Sequence, residues 1–274
     1  MNKSILLIGR PHSSKTVFIT QFYSKLRKGK SKLTLHKPVD DLTTIAPARD
    51  SLANGEEPQS TPAESNLMLF VPIKFNEVII DLACPDYGGE QINKIIRERN
   101  LDKKWLDSIK SSNNWLLFIR LSSIDRSIDI SNVTVTKEYL NKDENNFGSV
   151  FTISDQSFLI ELLQILLDAK GHDFHFNNNQ VKLVVALTCW DELNTDERPK
   201  DILKSNLPLL LDFIEANWSK ESVKVLGLSA QGFSLNNPDN KLKYKTYGPE
   251  AFGYIINEEG GRVDDITELI LEAL

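Results

Sequence analysis

The chain has 274 residues, 41% apolar and 26% charged, an ordinary globular composition at a length that can bury a sizeable core. Its net charge of −6 excludes the basic surplus of a general nucleic-acid binder, leaving Lys25–Lys37 as a local basic patch. Two cysteines, the lack of a signal-peptide h-region, and apolar runs far short of the roughly 20 residues that span a bilayer predict a reduced cytoplasmic protein with no membrane segment.

Ser4–Gly9 is an apolar run ending in glycine, and Lys15–Lys28 follows with Val17, Phe18, Phe22 and Leu26 at near-helical spacing. From 29 to 65 the pattern lapses into a long connection with room for one short helix, and a connection of that length is commonly functional. Leu67–Phe75 and Glu77–Leu82 read as two strands meeting at a tight turn. Glu90–Ser111 reads as helix and Trp115–Leu121 as a strand covered on both faces. The polar stretch 122–154 reads as an insertion. Asp155–Lys170 carries a leucine stripe that core packing explains. A strand at Val181–Leu187, a helix at Asp201–Trp218, a strand at Val223–Leu228 and a helix at Asp264–Leu274 complete the order. Alternating strands and helices predict one α/β domain over 1–274. Its sheet is expected to have six strands, mostly parallel, with one antiparallel edge and helices on both faces.

Gly9-Arg10-Pro11-His12-Ser13-Ser14-Lys15-Thr16 lies between the first strand and the first helix, where a phosphate loop belongs. Backbone N–H groups of such a loop wrap phosphates at a helix N-terminus, whose dipole favours negative charge. Gly9, Ser13 and Ser14 would line the loop, Lys15 would reach the β- and γ-phosphates, and the Thr16 hydroxyl would ligate Mg²⁺. Ser14 stands where the GxxxxGK[ST] pattern has its second glycine. Its Cβ costs roughly 1–2 kcal/mol if the residue adopts φ > 0.

Asp81 ends the apolar run Val78–Ile80 and is the expected Mg²⁺-side carboxylate. A second frame, D-x-x-G anchored on Asp86 and Gly89, is equally open, with the Gly89 N–H sensing a γ-phosphate. Glu90 is either a water-orienting catalytic residue or a helix N-terminal acid. Further on, Thr188-Cys189-Trp190-Asp191 ends another strand, where Asp191 could accept from guanine N1 and N2 while Trp190 covers the base or simply packs. In Ser229-Ala230-Gln231, loop N–H groups could meet guanine O6. His172 and His175 read as polar-turn residues rather than metal ligands.

The succession Gly9–Thr16, Asp81, Thr188–Asp191 and Ser229–Gln231 resembles the motif series of Ras-like P-loop GTPases over nearly the whole chain. It is most similar to the bacterial double-GTPase branch, through Leu52-x-x-Gly55-x-x-Pro58-x-x-Thr61, Asp81-Leu82-Ala83, Thr188–Asp191 and Phe252-Gly253-Tyr254-Ile255. The resemblance implies a Ras-like fold, GTP or GDP with Mg²⁺ as cofactors, and residues 29–65 as the switch I region. Thr61 would be its metal-binding threonine, in preference to Thr43-Thr44. It also implies slow or partner-dependent hydrolysis, and a protein partner from the same conflict or defence operon. Cys84-Pro85 and Thr188-Cys189-Trp190-Asp191 depart from the family pattern. The alternative reading is a non-catalytic interaction scaffold on a degenerate P-loop. Arg10, Arg49 and Arg120 are the candidates for a charge-stabilising arginine in the chain itself.

Overall fold

In the computed structural model, residues 3–29, 31–59, 66–87, 89–124, 154–172 and 180–274 are described. The first apolar run forms β1 (Lys3–Gly9), and its side chains divide by the two-residue period of a strand. Ile5 and Leu7 enter one core with Phe18, Phe22 and Leu26 of α1 (Lys15–Lys28). Leu6 and Ile8 enter the core on the opposite face. One uninterrupted apolar segment therefore serves two layers, as a strand buried on both faces must.

After α1 come β2 (Thr34–Leu35), α2 (Ala46–Ala53), β3 (Asn66–Phe75) and β4 (Val78–Tyr87). The long connection thus carries the one short helix expected in it. The β3–β4 hairpin pairs Phe75 with Val78, and Asn76 in the turn takes φ 52°, the left-handed region that asparagine tolerates. The 90–111 region forms two helices, α3 (Gly89–Glu98) and α4 (Lys103–Ser111), where one was expected. Arg99 lies at φ 47° between them, and the Asp102 side chain caps α4 by accepting from Trp105 N at 2.8 Å.

β5 (Asn114–Arg120), α5 (Asp155–Lys170) and β6 (Lys182–Thr188) follow. The insertion 122–154 lies almost wholly outside the described residues. The expected helix at 201–218 is broken into α6 (Pro199–Asn206) and α7 (Pro208–Asn217), because Pro208 lacks an N–H and restricts Leu207 before it. β7 (Val223–Ser229), α8 (Pro238–Tyr247), β8 (Tyr254–Ile256), β9 (Arg262–Val263) and α9 (Glu268–Glu272) complete the chain.

The sheet order is β2-β3-β4-β1-β5-β6-β7-β8-β9. Nine strands replace the expected six: β2, β8 and β9 are two or three residues long, too short for an alternating pattern to reveal. The central pairs β4–β1, β1–β5, β5–β6 and β6–β7 are parallel, and both flanks are antiparallel. Register aligns Gly9 with Phe118, and Arg120 with Thr188, which in turn aligns with Leu228. The loops that follow β1, β5, β6 and β7 consequently open at one edge of the sheet, the usual place for a ligand in this architecture.

Candidate functional site

The loop between β1 and α1 is held close to its neighbours. A Cβ on Gly9 would lie 2.8 Å from the Phe118 carbonyl oxygen and 2.7 Å from Ser13 Oγ, so glycine is required there by space. Ser13 is buried, and its hydroxyl donates to the Arg10 carbonyl at 2.7 Å. His12 and Ser14 both adopt left-handed conformations, at φ 60° and 66°. Ser14 therefore takes the backbone geometry that a glycine would supply, with the attendant steric cost.

Ser14 is also the N-cap of α1, yet it makes no side-chain cap bond among the described residues, and the first turn contains no acid. That helix end concentrates positive dipole with no protein carboxylate of its own turn to offset it. Lys15 folds over the loop, its Nζ donating to the carbonyls of Gly9 at 2.8 Å and Arg10 at 2.6 Å. The Arg10 guanidinium pairs with Asp155 at the start of α5 and lies 4.4 Å from the Phe158 ring centroid. Partial burial lowers the Arg10 pKa from its ordinary value.

At the ends of β6 and β7 a second group of residues is joined by hydrogen bonds. The Ser229 hydroxyl donates to Asp191 Oδ1 at 2.5 Å and accepts from Gly232 N at 2.9 Å. Ala230 is buried, and a Cβ on Gly253 would come within 2.5 Å of its carbonyl oxygen. Trp190 packs: it is buried, and its ring fills the space a Cβ on Gly227 would occupy, 2.5 Å away. Of the two readings of Trp190, packing is the one its burial matches. Cys189 takes φ 52° and lies near the Ser14 side chain, which brings this group beside the β1–α1 loop. Burial pushes the Cys189 thiol up to about 11. Thr188 Oγ1 is buried without a hydrogen-bond partner among the described residues.

Asp81 does not join these groups. Register pairs it with Ser4, near the start of β1, whose hydroxyl meets Ser112 just before β5. It stands five residues from the level of Gly9, about 16 Å at 3.3 Å per strand residue. Continued along the strand, the same register brings residue 86 level with Gly9. Cys84 and Pro85 lie within β4, paired with Leu69 and Met68, and so carry the strand on toward Asp86 instead of interrupting it. A strand that runs four residues past Ala83 could not be told from a turn in a Pro- and Gly-rich stretch.

Thr61 lies outside the described residues; Gly89 and Glu90 open α3, and the Glu90 side chain is likewise not described. Thr44, the threonine ranked second by sequence, lines a small cavity of about 20 Å³ with Lys15, Thr16, Cys84 and apolar neighbours. Its Oγ1 is buried and lacks a hydrogen-bond partner among the described residues. Spacing to the next strand argued against Thr44, but α2 folds the connection back and removes that objection. Each of the three candidate arginines has an acidic neighbour: Arg10 has Asp155, Arg49 has Asp50, and Arg120 holds Glu192 at 2.5 and 3.1 Å.

Among solved structures, the chain is similar to the small GTPase Arl6 (BBS3) of Trypanosoma brucei, solved with the nucleotide analogue GppNp. Identity is 9% and the TM-score 0.41, covering 91% of this chain and 98% of that one. A bacterial selenocysteine-specific elongation factor matches at 13% identity and TM-score 0.38, covering 90% of this chain and 29% of that one. The GTPase-like domain of S. cerevisiae Ski7, bound to GDP and inorganic phosphate, matches at 12% identity and TM-score 0.41, with 84% and 43% covered. No curated protein matches the sequence. The profile of the Double-GTPase 1 family (DO-GTPase1) matches residues 6–273, nearly the full length. The chain therefore belongs to the Double-GTPase 1 family.

Proposed function

We propose that the chain binds GTP and GDP with Mg²⁺ as a single-domain switch whose hydrolysis is slow or depends on a partner. One observation carries this reading above the others. Among the described residues the α1 N-terminus has no side-chain cap, it is crossed by Lys15, and Ser14 lies near Cys189, two residues before Asp191 of the Asp191–Ser229 pair. A phosphate chain and a purine base need such an arrangement at opposite ends of one ligand. Gly9, Ser13, Ser14, Lys15 and Thr16 would hold the phosphates. Thr188, Asp191, Ser229 and Ala230 would meet the base.

The residues present fit both nucleotide and metal. The orphaned hydroxyls of Thr44 and Thr188 supply polar groups beside the loop and beside the base motif, and buried polar atoms without partners are uncommon. Mg²⁺, when bound, neutralises charge on the β- and γ-phosphates. Thr16 and Thr44 would hold it, Thr61 being a further switch I candidate, and the register favours Asp86 over Asp81 as the nearby carboxylate. Gly89 would sense the γ-phosphate and Glu90 orient water.

Residues 29–65 would be the segment that responds to the nucleotide, with 122–154 as an insertion. No described helix is long and apolar enough to cross a membrane. A reduced cytoplasmic setting suits a chain whose two cysteines are Cys84 and Cys189. Following its family resemblance, the chain would act with a protein partner in a bacterial defence or conflict system. Titration of fluorescent GTP and ATP analogues, with and without Mg²⁺, tests the reading on wild type and Lys15→Ala. Magnesium-dependent preference for GTP that disappears in the variant is expected. Binding retained by Lys15→Ala, or absent from wild type, would sink it and leave the scaffold alternative.

A further inference from the structure

Tyr244 on α8 is fully buried and far from the phosphate loop in sequence, yet its hydroxyl joins two parts of the candidate site. It donates to the Gln231 carbonyl oxygen at 2.5 Å and accepts from Gln21 Nε2 at 3.0 Å. Gln21 is itself fully buried on α1, six residues after Lys15. The ring is fixed as firmly as the hydroxyl. It stacks on Phe252 at 4.8 Å with 9° between planes and meets the edge of Phe233 at 5.6 Å.

The consequence falls on one peptide unit, Gln231–Gly232. Its carbonyl is held by Tyr244, and its N–H donates to Ser229 Oγ, which is bonded in turn to Asp191. A peptide plane held at both its oxygen and its hydrogen cannot rotate. Anchored at Ser229 on one side and at this peptide on the other, the two residues between have little freedom, which constrains the N–H groups of Ala230 and Gln231. Gly253 closes on the Ala230 carbonyl from behind, leaving the loop no room to retreat.

We infer that Tyr244 is a positioning residue that aims the Ala230–Gln231 amides at the 6-oxo group of a purine, and so sets guanine recognition from outside the base motif. The inference rests on the nucleotide-binding reading above. The hydroxyl touches no part of the ligand; it acts through the loop it orients.

The test is calorimetric titration of wild type, Tyr244→Phe and the double variant Gln21→Leu/Tyr244→Phe with GDP, 6-thio-GDP and inorganic pyrophosphate. Tyr244→Phe leaves two buried polar groups without their partner, and the double variant removes one of them, the Gln21 amide, restoring part of the stability while the positioning contact stays lost. Wild type is expected to prefer GDP over 6-thio-GDP by about five- to tenfold, one hydrogen bond's worth. Both variants should lose that preference and keep pyrophosphate affinity. A merely structural role would lower GDP and pyrophosphate affinity together, or let the double variant regain the preference, and either result overturns the inference. Discrimination unchanged in Tyr244→Phe, or absent from wild type that binds GDP, also overturns it while leaving nucleotide binding intact. Wild type that binds no GDP removes the nucleotide reading itself.

Discussion

The phosphate end and the base end of the candidate site are built from opposite materials. Around Ser14 the backbone is strained, two residues stand in the left-handed region, and α1 begins without a side-chain cap. Around Ser229 the polar groups are mutually bonded, and Gly253 and Trp190 pack the loop from behind. The first end leaves unmet demands that an anion would meet. The second is preorganised, so that binding there costs little rearrangement.

That contrast can be tested first at Cys189, which lies near Ser14. With its pKa near 11, the Cys189 thiol at pH 8 holds about two hundredfold less thiolate than a free cysteine of pKa 8.5, and it should alkylate more slowly. Iodoacetamide labelling followed by mass spectrometry against pH checks this, and the rate should climb toward pH 11. The linkage has a definite sign. The unfolded thiol ionises near 8.5 and the folded one near 11, so the folded state keeps a proton the unfolded chain releases. Stability present below about 8.5 should therefore be lost as pH rises from there to 11.

A smaller effect should separate the two ends by ligand. Asp191→Ala should lower the preference for GTP over ATP by about thirtyfold while leaving pyrophosphate binding near wild type, as competition titrations would show. Equal loss for both nucleotides would mean that the base end is not where discrimination arises. Smaller again is Arg10→Ala, which leaves the largely buried Asp155 without its guanidinium. Chemical denaturation should find about 1–2 kcal/mol of lost stability. The least change is expected from Ser14→Gly, which relieves the left-handed serine. A gain of about 0.5–1 kcal/mol should appear in thermal unfolding.

Much of this architecture was legible from periodicity. The apolar run Ile5–Ile8 and the stripe from Leu159 to Leu167 announced a doubly covered strand and a core helix, because burial imposes its own spacing. The phosphate loop was legible because glycine, lysine and threonine have separate jobs at fixed offsets. Register was not legible. Asp81 and Asp86 lie five residues apart on one strand, and only the pairing of Ser4 with Asp81 reveals that the former stands five residues from the level of Gly9. Thr44 was passed over because linear distance is a poor guide to a connection that contains a helix. The Tyr244–Gln21 contact spans 223 residues and has no local pattern to announce it.

Gly55 has a neighbour that gives it a wider meaning. At φ 65° it lies against the backbone of α8, where a Cβ would come within 2.8 Å of the Lys241 carbonyl oxygen. Beside it, Leu52 of α2 is fully buried in the same cluster as Tyr244. A side chain acquired at position 55 would push on the helix that carries Tyr244, and thereby on the loop that Tyr244 holds. Mutational drift in the long connection after α1 is thus not independent of drift in α8. The two segments can diverge only in step, and a chimera that takes one from a relative without the other should lose the fit between them.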